Sequence, residues 1–198
     1  MQTVGHVHDL VRITGVGARL FLLSPANCSG RRAQLLLSAR GSFDLAARLR
    51  DGDAPIGEVF SFVSGLYFRG KLTYATAFAP TADPLEDSLA GRGVLIITSS
   101  AGLRAPETPV TLDALRQFAT ESVDAANAAY RAPLVRSAEA VAREVGSECD
   151  VVLLGSIASP KYVDVLLGVF GERLLFPSAF VGRGDMSRGG LLLRAAAA

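Results

Sequence analysis

At 198 residues, 49% hydrophobic and 20% charged, the chain has a globular composition and enough apolar material for a core without disulfides or metal as staples. A net charge of +1 excludes a global charge excess of the kind that draws a protein to nucleic acid or membrane, so only local clusters bear on such partners. No run of 18 apolar residues occurs, residues 1–10 lack a signal-peptide pattern, and Cys28, Cys149, His6 and His8 show no zinc-ligand spacing. The chain is therefore expected to be cytoplasmic with reduced thiols, and no metal, no cofactor and no membrane partner are expected.

In chain order, residues 1–18 read as an N-terminal extension. Gly15-Val16-Gly17 precedes a strand, whereas a dinucleotide fingerprint follows one. Arg19 to Leu23 reads as the first buried strand. A helix containing Leu45 and Leu49 closes at Asp51-Gly52. Ile56, Phe60 and Val63 sit at helical spacing, which predicts two helices over 56–78, broken at Gly65. Pro80 to Gly93 is a loop. Val94 to Thr98 is a second strand. Thr111 caps a helix predicted to reach Tyr130 and to break at Pro133. Leu134, Ala138, Val141 and Val145 restart the helical period until Gly146. Val151 to Leu154 is a third strand, and Ser159-Pro160 opens a helix to about Gly168. Arg173 to Phe176 and Leu191 to Leu193 read as further strands, before a tail at 195–198. Strands alternating with helices predict a single α/β domain over 1–198, with a mainly parallel, twisted sheet and helices on both faces.

In such sheets ligands bind beyond the carboxyl ends of the strands. After the first strand comes Ser24-Pro25-Ala26-Asn27-Cys28-Ser29-Gly30-Arg31-Arg32, small polar residues feeding a helix start with two arginines. Cys28 to Arg50 holds five Arg and one Asp, a pattern that suits a phosphate and suits solvated arginines equally. Thr98 to Pro106 reads first as a plain turn around Gly102. Gly155-Ser156-Ile157-Ala158-Ser159-Pro160-Lys161-Tyr162 is a third strand-to-helix turn with a cation. Gly182 to Gly190 carries Arg183, Asp185 and Arg188 among glycines that allow close backbone approach. This segment is expected to close over the same crevice as 27–32 and 155–161. Cys28 reads as a buried structural cysteine rather than a nucleophile, and Cys149 as core.

Taken in order, these motifs resemble the YaaA family of peroxide-stress proteins. Leu22-Leu23-Ser24-Pro25-Ala26 is similar to its opening strand, Ser100 to Pro106 to its Arg-Pro turn, and Ser156 to Tyr162 to its LASNEY turn. Arg183 to Arg188 is similar to its terminal ARGxMxRF motif, and Ser64 to Gly70 to a Gly, Tyr and Arg-Gly segment. The likeness spans roughly residues 20–194. Asn27-Cys28-Ser29 departs from the family's Lys-Thr, and Thr108 to Leu112 replaces an acidic, Tyr-containing stretch, so a remote branch is implied. The resemblance implies a cytoplasmic α/β protein that binds DNA in a basic cleft and protects against peroxide.

Three functions stay open at this point. In the first, nucleic acid or a phosphate-bearing ligand lies in a basic crevice, with Arg31, Arg32, Arg69, Lys71, Lys161, Arg183 and Arg188 on phosphates and Tyr67 and Tyr162 stacking on bases. In the second, an enzyme acts on a nucleotide or nucleobase, as a glycosylase-like hydrolase, with Asn27, Ser156 and Asp185 near the reacting group. Ser29 belongs to the same candidate site. In the third, the chain is a small-molecule or protein-binding module and the loops are structural. Convergence of cations on one concave surface favours the first two, and a carboxylate or amide in an enclosed pocket favours the second.

Overall fold

A computed structural model describes residues 3–4, 19–39, 41–79, 89–156 and 160–198. His6, His8, Gly15 to Gly17, most of the 80–93 loop and Ser159 lie outside the described residues.

Short runs of Leu, Val and Ile make the sheet. Its strands run in the spatial order β1 (Thr3–Val4), β8 (Leu174–Pro177), β7 (Asp150–Leu154), β2 (Arg19–Leu23), β4 (Val94–Ile97) and β5 (Leu103–Arg104). All neighbours are parallel except β4 and β5. A separate antiparallel pair joins β3 (Ala54–Pro55) to β6 (Pro109–Val110). The three strands expected in one sheet are adjacent there. Leu23 is level with both Leu154 and Ile96, so β2, β7 and β4 end on one line. Whatever follows those strands is therefore delivered to one edge.

Eight α-helices accompany the strands among the described residues: α1 (Arg31–Leu37), α2 (Asp44–Asp51), α3 (Ile56–Ser64), α4 (Leu66–Phe78), α5 (Leu112–Thr120), α6 (Ala128–Val145), α7 (Pro160–Phe170) and α8 (Asp185–Ala196). Successive strand residues alternate between two apolar clusters, as the period of two requires. Phe21, Leu23, Ile96, Val152 and Leu154 join residues of α1–α5 and α8. Leu20, Leu22, Leu95, Val151 and Leu153 join residues of α6 and α7.

Local chemistry explains most boundaries. Thr111 accepts a hydrogen bond from the Ala114 N–H and caps α5. Gly65, at φ +65°, separates α3 from α4. Three expectations are corrected. The helix from Thr111 stops at Thr120, and a new one begins after Asn127, whose side chain accepts from the Ala129 N–H. That helix runs through Pro133, where a break is expected from sequence. Pro133 sits in the second turn, where only one carbonyl loses its donor. Residues 191–193 are not a strand but part of α8, which also takes in the start of the expected tail. The run of three leucines hid a helical spacing, since Arg188, Gly189, Leu192 and Ala195 are the residues that bury.

The contact between α4 and α8 sets up the site. A Cβ on Gly70 would lie 2.6 Å from the Gly189 carbonyl oxygen, and one on Gly189 would lie 2.8 Å from Tyr67 Cα. Only glycines allow the two backbones so close. The crossing brings Tyr67 and Lys71 of α4 beside Asp185 and Arg188 of α8.

Candidate functional site

A cleft of about 520 Å³ opens beyond the carboxyl ends of β2 and β7. Ser24 to Ser29 forms one wall, and Ser156, Lys161 and Tyr162 another. Ser64 and Tyr67, the 118–123 segment with Glu121, and Asp185 complete it. This is the size range of small-molecule sites, and the position is the one that open α/β sheets use for ligands.

Beneath the cleft floor lies a buried lysine. Lys71 is 1% exposed, and its Nζ donates to the Ser24 carbonyl oxygen and to Ser24 Oγ, both at 2.7 Å. The ammonium also stands 4.7 Å from the ring centroids of Tyr67 and Phe68. No carboxylate forms a salt bridge with it among the described residues. Burial lowers its pKa to about 7, opposed by the Asp185 carboxylate.

Two phenols flank Ser24 and Lys71. The Tyr162 hydroxyl oxygen accepts from the Ser156 N–H at 2.9 Å. Burial pushes this phenol up, and hydrogen bonds with Ser24 and Ser156 oppose that push. Burial also pushes up the Tyr67 phenol, with the Arg188 guanidinium opposing it. The Tyr67 hydroxyl is buried without a well-formed hydrogen bond among the described residues. Arg188 is itself buried; its Nε donates to the Phe180 carbonyl at 3.2 Å and its Nη1 reaches Asp185 Oδ1 at 3.4 Å. Gly155 makes room for these groups. A Cβ there would meet Ser24 Cβ at 2.7 Å and the Tyr162 hydroxyl at 3.1 Å.

The sequence-derived candidates divide into three groups. Asn27, Ser29, Tyr67, Ser156, Lys161, Tyr162 and Asp185 line the cleft. Lys71 and Arg188 are buried behind it. Arg31, Arg32, Arg69 and Arg183 are exposed and stand outside the lining. Arg32 Nη1 donates to the Phe62 carbonyl at 3.4 Å, and Arg183 Nη1 to Ser187 Oγ at 3.3 Å. The lining thus carries one cation, Lys161, and two carboxylates, Glu121 and Asp185, among the described residues.

Cys28 borders the cleft but is buried, and desolvation raises its thiol to about 12. A thiol so held supplies almost no thiolate at neutral pH. Sequence reasoning passed over Ser24 and Glu121. Ser24 was visible as the first polar residue after a buried strand; nothing local marks Glu121.

Comparison with family models, curated proteins and solved structures gave no significant match to this chain. Among the described residues no helix is long and apolar enough to cross a membrane, and no cluster of three His, Cys, Asp or Glu side chains is placed to hold a metal ion.

Proposed function

We propose that the cleft binds a small, phosphate-bearing ligand of nucleotide size and is the seat of an enzyme activity on it. The observation that carries this reading is the composition of the lining. Lys161 stands in the first turn of α7, where a cation and a helix N-terminus together suit an anionic group. Asn27, Glu121 and Asp185 supply an amide and carboxylates for the donor groups of a base or an amine. A strand of nucleic acid would call for cations along a track, and the exposed arginines stand outside the cleft instead. The YaaA-like order of motifs supports a nucleotide-related ligand. Direct peroxide chemistry at Cys28 gains no support from a thiol raised to about 12.

Calorimetric titration with mononucleotides, nucleosides and a short duplex tests this. A mononucleotide should bind, and Lys161→Ala should weaken it about tenfold or more, as expected for a charge-assisted hydrogen bond. Duplex binding that loses about 0.9 of its log–log salt slope for each of Arg31, Arg32 and Arg183 replaced, with no mononucleotide binding, would return the reading to a nucleic-acid surface.

A further inference from the structure

We propose that Ser24 is a nucleophile, with Lys71 as its general base, and that the cleft cleaves an acyl group from its ligand through an ester on Ser24. This rests on the reading of the cleft as a small-ligand site and adds the bond that is broken there.

The geometry is that of an activated hydroxyl. Ser24 is the first residue beyond β2 and lines the cleft. Its Oγ lies 2.7 Å from Lys71 Nζ, within reach for proton transfer. The same Nζ contacts the Ser24 carbonyl oxygen at 2.7 Å, so both of its acceptors belong to Ser24 and the amine is held in register with that one residue. The Tyr67 and Phe68 rings favour the ammonium, but complete burial with no carboxylate salt bridge among the described residues works against the charge. Once neutral, Lys71 keeps one N–H on the Ser24 carbonyl and turns its lone pair to the Ser24 hydroxyl proton. Tyr162 shares a hydrogen bond with Ser24 and itself accepts from the Ser156 N–H. Gly155 leaves the space that the hydroxyl occupies.

The step balances within these groups. Ser24 Oγ attacks the acyl carbon, forming a C–O bond while its proton passes to Lys71 Nζ. The tetrahedral species collapses, the bond to the leaving group breaks, and Lys71 returns that proton to the leaving atom. Water then attacks the Ser24 ester, Lys71 takes one water proton, and Ser24 leaves as the protonated hydroxyl with the carboxylic acid as product. The substrate class is an ester or amide carried on a polar, phosphate-bearing molecule.

The groups facing Lys71 are Ser24 from the end of β2, Tyr67 and Phe68 from α4, and Asp185 from α8, with Arg188 and Tyr162 acting on Tyr67. The test is covalent labelling of the full chain with a small fluorophosphonate, read by intact mass and peptide mapping. A single adduct on Ser24 is expected, forming faster as pH rises from about 6 to 8.5 while Lys71 loses its proton. Ser24→Ala should abolish the adduct. Lys71→Met should slow it at least tenfold. Lys71→Arg, which keeps a charge that cannot be given up, should slow it as much. No adduct, an adduct elsewhere, a rate flat with pH, or a Lys71→Arg chain that labels like the parent overturns the proposal. If the Lys71 variants fail to fold, the Ser24→Ala comparison and the pH profile still decide it. Mononucleotide binding is measured separately, so loss of the ligand reading and loss of the nucleophile show in different experiments.

Discussion

The turn after β4 and the turns after β2 and β7 share a sequence grammar: small polar residues, a glycine and a nearby cation at the end of a buried strand. They end in different states. After β4, the Thr98 hydroxyl donates to the Gly102 carbonyl at 2.8 Å and accepts from the Ala101 N–H. Ser99 Oγ donates to the Phe118 carbonyl, and Ser137 Oγ accepts from the Leu103 N–H. That turn bonds largely to itself, to α5 and to α6, with the Ser100 hydroxyl buried without a partner among the described residues. The turns after β2 and β7 face each other across a cleft instead, with a lysine buried beneath one of them. The same residue types bond mostly within the turn and to neighbouring helices after β4, and border an open cleft where the turns after β2 and β7 meet the crossing of α4 and α8.

Substitutions that act on one region alone sharpen this contrast. The largest effect is expected at Gly102, which combines φ +71° with a Cβ position 2.4 Å from the Pro133 carbonyl oxygen. Gly102→Ala should cost about 2–4 kcal/mol in a denaturant melt, while the folded fraction keeps its mononucleotide affinity and its Ser24 labelling. Loss of cleft chemistry at unchanged stability would break the division between the regions.

Lys71 comes next, through pH. Its folded-state pKa of about 7 lies below the ordinary 10.5. Below about 7 both folded and unfolded chains carry the charge, and the whole cost of burying it is present. Between about 7 and 10.5 the unfolded chain binds more protons, so stability rises with pH by about 1.4 kcal/mol per unit. The parent should therefore gain stability relative to Lys71→Met across pH 7–9, and Lys71→Met should be at least as stable at pH 6. A difference between the two that does not change with pH would mean that Lys71 titrates normally.

The smallest effect on stability falls at Gly155, where a methyl group would press on Ser24 and Tyr162 without backbone strain. Gly155→Ala should cost about 1–3 kcal/mol by overpacking, yet remove Ser24 labelling. Gly102→Ala and Gly155→Ala thus form a crossed pair, one mainly structural and one mainly chemical.

The amino-acid sequence by itself placed strands at 19–23, 94–98 and 151–154, within one residue of those observed at each end, together with the break at Gly65 and the cap at Thr111. Each follows from a short apolar run or from one side chain acting on its own backbone. It also marked Asn27, Ser156, Lys161 and Tyr162, because the end of a parallel strand is a position readable from chain order. Tertiary structure alone decided which cations face the cleft. Arginine clusters in the chain look alike whether they converge or scatter, and Arg31 and Arg32 at the start of α1 and Arg183 just ahead of α8 stand outside the lining. The pairing of Ser24 with Lys71 was equally hidden. Those residues lie 47 positions apart, and their meeting depends on how α4 packs beside β2. Burial then changes what the amine is, since an exposed lysine holds its proton in water and this one is held where losing it relieves the cost of desolvation.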